Sequence, residues 1–198
     1  RGAASLRGTA AGRSVVSSQV GIFFLGDDHN VYWLNGYTPK NISPDALSKE
    51  LTSYADVSDA YGFMMNMDGH WFYVLTLPTQ RRTFVYDPDE DAWHNRESYQ
   101  LGYWRASCYE QIFGINIVGD SESNKLGQLS RSVYQEYGGH WIARRVSGVF
   151  AAKNKLVSAN RLELTFPSGQ VPQNITHQAR LRWSDNKGLT YGNPMIKT

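Results

Sequence analysis

The stretch "DPDED", Asp87 to Asp91, places four carboxylates in five residues. Paired carboxylates can serve as acid and base on a glycosidic bond, and oxygen-rich turns suit calcium. Here Asp87, Asp89, Glu90 and Asp91 crowd one proline-containing turn between apolar runs, the pattern of a solvated loop. The turn also lacks the glycine and spacing of a calcium loop. His29, His70, His94, His140 and His177 are scattered, and no pair has the short helical spacing of a zinc site. Cys108 is the single cysteine, which excludes an intrachain disulfide and a four-thiolate zinc site. Its context "RASCYEQIF" reads as a strand with a buried, inert thiol. No catalytic residue, metal ligand or cofactor is assigned.

Two stretches, "GYWRASCY" and "HWIARR", mix arginine with tryptophan and tyrosine. Such mixtures can stack on bases or sugars. They are equally the anchors of protein interfaces, so Trp104, Arg105, His140, Trp141, Arg144 and Arg145 are interface candidates. A third stretch, "RWSDNKGLTYG", resembles the Asp-box, Ser-x-Asp-x-Gly-x-Thr-Trp, a hairpin signature of sialidases and other β-propellers. Its residues here are Ser184, Asn186, Gly188, Thr190 and Tyr191. Short polar side chains accept backbone N–H groups, glycine permits positive φ, and the aromatic ring packs beneath. The expected role is structural.

These residues must be positioned by strands. Asp68-Gly69 separates "FMMNM" from "HWFYVLTL", a strong hairpin signal because both turn residues tolerate positive φ. Asn35-Gly36 turns the chain after "VYWL". Further strands read at "VGIFFLG", "TFVYD", "CYEQIFG", "INIVGD", "NRLELTF" and "ARLRWSD". In "HWFYVLTL" both faces are apolar, so it needs cover on both sides. The last two strands alternate: Leu162, Leu164 and Phe166 face inward in one, Leu181 and Trp183 in the other. One helix is expected over 43–54, with Ser43 as N-cap, Pro44 first in the helix, and Leu47, Leu51 and Tyr54 on one face.

"NVYWLNGYTPKNI", "TFVYDPDEDAWHN" and "CYEQIFGINIVGDSESNKLGQL" repeat a strand-turn-strand idea at roughly 40 to 55 residues, the range of propeller blades. The expected class is all-β, with propeller-like blades of small antiparallel sheets and one short helix. Residues 1–18 read as an arm, a linker or a strand that needs a neighbour. Residues 19–150 read as blades, and 151–198 as an additional antiparallel sheet carrying the Asp-box-like hairpin.

Composition narrows the class. Hydrophobic residues at 41% and charged residues at 19% make a globular chain, and a net charge of +2 without a basic run argues against a dedicated nucleic-acid binder. No apolar run approaches the roughly 20 residues of a membrane span. A lone cysteine suits a reducing compartment.

In order along the chain, "FFLGDDHNVYWLNGYTPKNIS", "GHWFYVLTLP", "TFVYDPDEDAWHNR", "GYWR", "VGDSESNKL" and "RLRWSDNKGLTY" resemble the packaged-DNA stabilisation proteins of short-tailed bacteriophages, also called tail hub or head-completion proteins. The resemblance spans roughly Gly12 to Tyr191, with Ser121 to Gly148 matching least and read as an insertion or contact loop. It implies a β-propeller-like fold, a chain that is part of a longer protein, and no enzymatic activity or cofactor. It also implies a homo-oligomeric ring, expected to be a hexamer, in the virion tail or neck. Such a ring meets the adaptor and portal rings and tail-needle, tail-fibre or spike proteins, and DNA passes through it without sequence-specific binding. Assembly in the host cytoplasm, and no membrane contact, follow. The alternative is a carbohydrate-active, sialidase-like or glycan-binding propeller, motivated by the Asp-box and the exposed aromatics.

Overall fold

A computed structural model describes residues 7–133, 135–150, 161–163 and 178–197. The chain divides into two compact units, Arg1–Ile142 and Ala143–Thr198. Among its described residues the first unit holds three antiparallel sheets of three or four strands, with the strands in sequence order, and a short two-stranded hairpin near its end. Sheet one comprises β1 (Val16–Ser18), β2 (Gly21–Leu25), β3 (Val31–Leu34) and β4 (Pro39–Asn41). The helix α1 (Asp45–Ser53) follows. Sheet two comprises β5 (Tyr61–Met67), β6 (His70–Leu77), β7 (Arg82–Asp87) and β8 (Ala92–Asn95). Sheet three comprises β9 (Ala106–Ile112), β10 (Ile115–Asp120) and β11 (Leu126–Gln128).

The three sheets begin at Val16, Tyr61 and Ala106, two successive steps of 45 residues. Neighbouring sheets also meet through their first strands, β5 lying beside both β1 and β9. Repeated sequential sheets with adjacent first strands make the architecture of consecutive propeller blades. The expected repeat is partly in phase. "NVYWLNGYTPKNI" and "TFVYDPDEDAWHN" supply the third and fourth strands of their sheets, whereas the "CYEQIFGINIVGD" stretch supplies the first and second strands of sheet three.

Local chemistry fixes the turns. Asp68 (φ 53°) and Gly69 (φ 89°) form the two-residue link between β5 and β6, and all seven residues of β5 pair in register with β6. Both central residues at positive φ match the right-handed twist of the flanking strands. At Gly21 (φ 128°), a β-carbon would lie 2.6 Å from the Leu34 carbonyl oxygen, so only glycine fits there.

The doubly apolar strand β6 is covered on both sides. Tyr73, Leu75 and Leu77 enter a core shared with Phe23, Leu25 and Val31 of sheet one and with Leu47 and Leu51 of α1. Val74 enters a second core with Met65, Val85, Trp104, Ala106 and Val118, between sheets two and three. Trp93 packs against the first core and donates its indole N–H to the Ile42 carbonyl at 2.7 Å.

Several expectations are corrected by this packing. Ser43 does not cap the helix: its hydroxyl oxygen accepts the Val31 N–H at 2.7 Å. Pro44 is extended (φ −66°, ψ 158°) and holds the N-cap position, so the helix starts at Asp45. That places an acid at the positive end of the helix dipole. Cys108 is exposed rather than buried, because it lies on the uncovered face of sheet three. Within residues 1–18, for which a strand needing a neighbour is one expectation, Val16–Ser18 are an edge strand paired with β2, and the preceding 3-10 turn, Gly12–Ser14, lies beside β5. Ser14 is fully buried, donates to the Ala11 carbonyl and accepts the Leu25 N–H at 3.0 Å. The Tyr73 hydroxyl donates to the Ser14 carbonyl at 2.8 Å. These bonds fasten the segment to both sheets.

The second unit contains the hairpin β14 (Ala179–Leu181) and β15 (Met195–Lys197). Trp183, expected to face inward from a strand, lies in the connecting loop and is exposed. Of the expected strand at 160–166, only Arg161–Glu163 are described; they are not in a strand, and Leu162 is exposed. Leu164 and Phe166 lie outside the described residues.

Candidate functional site

The acidic turn joins β7 to β8. Asp87 accepts the N–H groups of Asp89 (2.9 Å) and Glu90 (3.3 Å), while Asp91 accepts the Tyr86 hydroxyl at 2.7 Å. Burial and the Asp91 hydrogen bond push the Tyr86 hydroxyl pKa up. The turn also gathers nitrogen groups: Lys40 Nζ lies 3.7 Å from Asp91, and His70 Nδ1 lies 3.5 Å from Asp89. One ligand atom each from His70, Asp87 and Asp89 falls within a 4.8 Å group, with His70 and Asp89 exposed. Strand pairing brings His70 there from the start of β6. Asp87 is otherwise spent on the turn's own N–H groups, and Asp91 on the Tyr86 hydroxyl and Lys40, which is the chemistry of a solvated hairpin end.

The arginine-aromatic residues separate into two sets. Trp104 is only 4% exposed and fills the core between sheets two and three, its ring 5.9 Å from Phe63. Its backbone N–H reaches the buried Thr83 hydroxyl at 3.0 Å, and its indole N–H donates to Glu136 at 3.2 Å. The Arg96 guanidinium lies over the ring at 4.0 Å. Burial lowers the Arg96 pKa, and the Glu136 charge opposes that shift. Arg105 grips Asp120 with two hydrogen bonds of 2.6 Å and lies over the Tyr137 ring at 4.5 Å. Hydrogen bonding to Arg105 holds the Asp120 carboxyl at about 2, aided by Ser123 and the Glu122 N–H against the cost of desolvation.

Trp104 is thus buried within the chain, and Arg105 engages Asp120 through Nε and Nη2 while part of its side chain stays exposed. Glu136 and Tyr137 belong to a short hairpin, β12 (Gln135–Glu136) and β13 (Gly139–His140), which the sequence reading passed over. The Tyr137-Gly138 pair was its signal, with both residues at positive φ (49° and 82°). This hairpin clasps the Trp104 edge of the core. His140 meets the Tyr99 ring edge-on at 5.3 Å, while Trp141, Arg144 and Arg145 are exposed.

In the second unit, the Asp-box-like residues form one hydrogen-bonded turn. Ser184 Oγ accepts the Gly188 N–H at 2.8 Å and donates to Asn186 Oδ1 at 2.8 Å. Asn186 Oδ1 also accepts the Thr190 N–H at 2.8 Å, and its amide donates to the Thr190 hydroxyl at 2.7 Å. Gly188 sits at φ 88°, with the Tyr191 hydroxyl 3.4 Å from where a β-carbon would stand. Asparagine thus does in this turn what aspartate could not, because its amide supplies a donor as well as an acceptor. The motif's polar groups face each other, and the arrangement closes a loop between β14 and β15.

Residues 1–134, more than half of the chain, match the family model described as Bacteriophage P22 Gp10, β-propeller. The match takes in all three sheets and ends before the β12–β13 hairpin. It stops well short of Tyr191, the end expected from the order of the motifs. It also includes residues 121–134, expected to fit least. A comparison with curated proteins found no match.

Proposed function

The chain belongs to the packaged-DNA stabilisation family of bacteriophages, structural proteins of the virion, and from that premise we propose that it is a subunit of the tail hub. In this reading it extends the DNA channel below the portal and adaptor rings, helps retain the packaged genome until ejection, and anchors tail-needle, tail-fibre or spike components. The subunits form a homo-oligomeric ring, a hexamer, at the neck of a short-tailed phage, assembled in the host cytoplasm. The role is mechanical and not enzymatic.

The observation that carries this reading is the stack of three sheets meeting through β1, β5 and β9. Two sheet-to-sheet cores hold it together, in the part of the chain that matches the family. A channel wall must let DNA slide, and each phosphate contact adds salt-dependent affinity. The net charge of +2 fits a wall that does not grip.

Native mass spectrometry of the full-length protein with its adaptor tests the proposal. A ring-sized assembly is expected, and a persistent monomer overturns it. The glycan-binding alternative gains nothing from the Asp-box-like hairpin, whose polar side chains hydrogen-bond to one another and to the turn's own N–H groups.

A further inference from the structure

The two seams between sheets are fastened differently. At the first, the segment before β1 is tied to sheet one through the main chain, the Ala10 N–H donating to the Leu25 carbonyl at 3.0 Å. Sheet two reaches the same segment through the Tyr73 hydroxyl and the Ser14 carbonyl. At the second seam stands the β12–β13 hairpin. Its strands hydrogen-bond to each other, and among the described residues no main-chain bond runs from 135–140 to a sheet. Side chains hold it instead. Glu136 accepts the Trp104 indole N–H, and the Tyr137 ring lies under the Arg105 guanidinium. The Tyr137 hydroxyl reaches Gly127 of β11, where an added β-carbon would stand 2.5 Å from it. His140 meets Tyr99 edge-on.

We propose that this hairpin is a latch: it lifts as a unit while the sheets stay folded, and when shut it locks sheet three to sheet two. Gln135, Tyr137, Gly138, Gly139 and His140 are all exposed, and only Glu136 is half-buried. An element with so little buried surface and no backbone bonds to its neighbours opens at low cost. What lies beneath it is of the opposite kind, since Trp104 is buried and the Arg96 guanidinium rests on its ring.

Glu136 couples the latch to the seam. Lifting it takes the acceptor from the Trp104 indole N–H and the counter-charge from the largely buried Arg96. A donor and a charge left without partners in a packed core favour any motion that lets water reach them. Arg105 is spared, because it keeps both hydrogen bonds to Asp120 when Tyr137 leaves. The cost of opening therefore falls on Trp104 and Arg96, between the two sheets, and the seam loosens with the latch.

Gly127 is the keyhole for this lock. The atom nearest its missing β-carbon is the far end of the Tyr137 side chain, so an alanine there displaces the tyrosine before it disturbs the sheet. The family match ends at residue 134, so the latch lies outside the matched residues, while Tyr99, Trp104, Arg105 and Gly127, which it grips, lie inside them. The latch does not rest on the hub reading and can fail separately from it.

The test is amide hydrogen exchange of the 198-residue chain, read residue by residue in rising urea. The β12–β13 amides should exchange at least about tenfold faster than those of Val74 and Val118, at a rate that low urea does not change. Gly127→Ala and Tyr137→Leu should each speed exchange in β9 and β10 at least about fivefold and leave Phe23–Leu25 of sheet one unchanged. Far-UV circular dichroism should stay unaltered. Should Gly127→Ala fail to fold, Tyr137→Leu still decides, because Tyr137 is 39% exposed. Hairpin amides that exchange in step with Val118 would show a fixed clasp and overturn the latch. Substitutions that speed all three sheets alike, or that leave sheet three unchanged, would overturn the lock.

Discussion

Sheets two and three are built alike, as antiparallel meanders with tight hairpins, yet they live in different surroundings. Strand β6 of sheet two sends Tyr73 and Leu75 into one core and Val74 into the other, and all three are fully buried. Strand β10 of sheet three sends Val118 inward and leaves Ile115 exposed. A strand with neighbours on both sides needs apolar residues at every position. A strand with one neighbour alternates or carries an unsatisfied apolar face. The difference shows that position in the stack, more than the strand's own propensity, sets how much each side chain contributes to stability.

The largest break in that contrast should come at the seam between the two sheets. Trp104→Ala removes the ring that joins them and should cost about 3–5 kcal/mol in urea unfolding, since cavity formation adds to lost burial. Release of sheet three before sheet two, seen by amide hydrogen exchange, would sharpen the comparison.

At the opposite face of sheet two, Ser14→Ala leaves the buried Leu25 N–H without its 3.0 Å acceptor. It should cost about 1–3 kcal/mol, measured the same way. A neutral result would mean that the segment before β1 is not fastened to the sheets as its hydrogen bonds indicate.

A smaller effect belongs to sheet three alone. The Asp120 carboxyl titrates at about 2 in the folded chain against an ordinary value of 3.8. The unfolded chain therefore takes up the proton first as pH falls. The stabilisation is complete above about pH 4, shrinks between 4 and 2, and is gone below 2. After solvent screening it amounts to about 1 kcal/mol. Asp120→Asn should flatten that part of the pH–stability curve while leaving the slope from other carboxylates.

The smallest effect is expected on the open face. Leu126→Ser should change the stability of the chain by less than about 0.5 kcal/mol, because little of the side chain is buried there. A large loss would show that this face is covered within the chain, and the contrast between the two sheets would collapse.

Much of this was legible from residue pattern. Asp68-Gly69 specified its hairpin because few dipeptides tolerate two positive φ angles. "HWFYVLTL" announced two covered faces because no other environment accepts it. The helix face of Leu47 and Leu51 was also readable, but its start was not. Ser43 has one hydroxyl, and whether it caps the helix or accepts the Val31 N–H depends on where β3 lies.

Trp104 reads as an interface anchor for a similar reason. Exposed and buried Trp-Arg pairs have the same composition, and only the packing around Trp104 and its Glu136 partner decide that it is buried. The β12–β13 hairpin was missed because two-residue strands carry no periodicity.

The sequence alone determined the all-β class, the turn positions and the strands that require double cover. Those depend on local φ preference and on side-chain period, which are properties of a few consecutive residues. The tertiary structure decided which faces are covered: that Cys108 faces outward, that Ser14 is a buried fastening, and that His70 meets the acidic turn. Each of these depends on partners far away in the chain, and no local pattern encodes the distance between strands that meet only when the sheets stack.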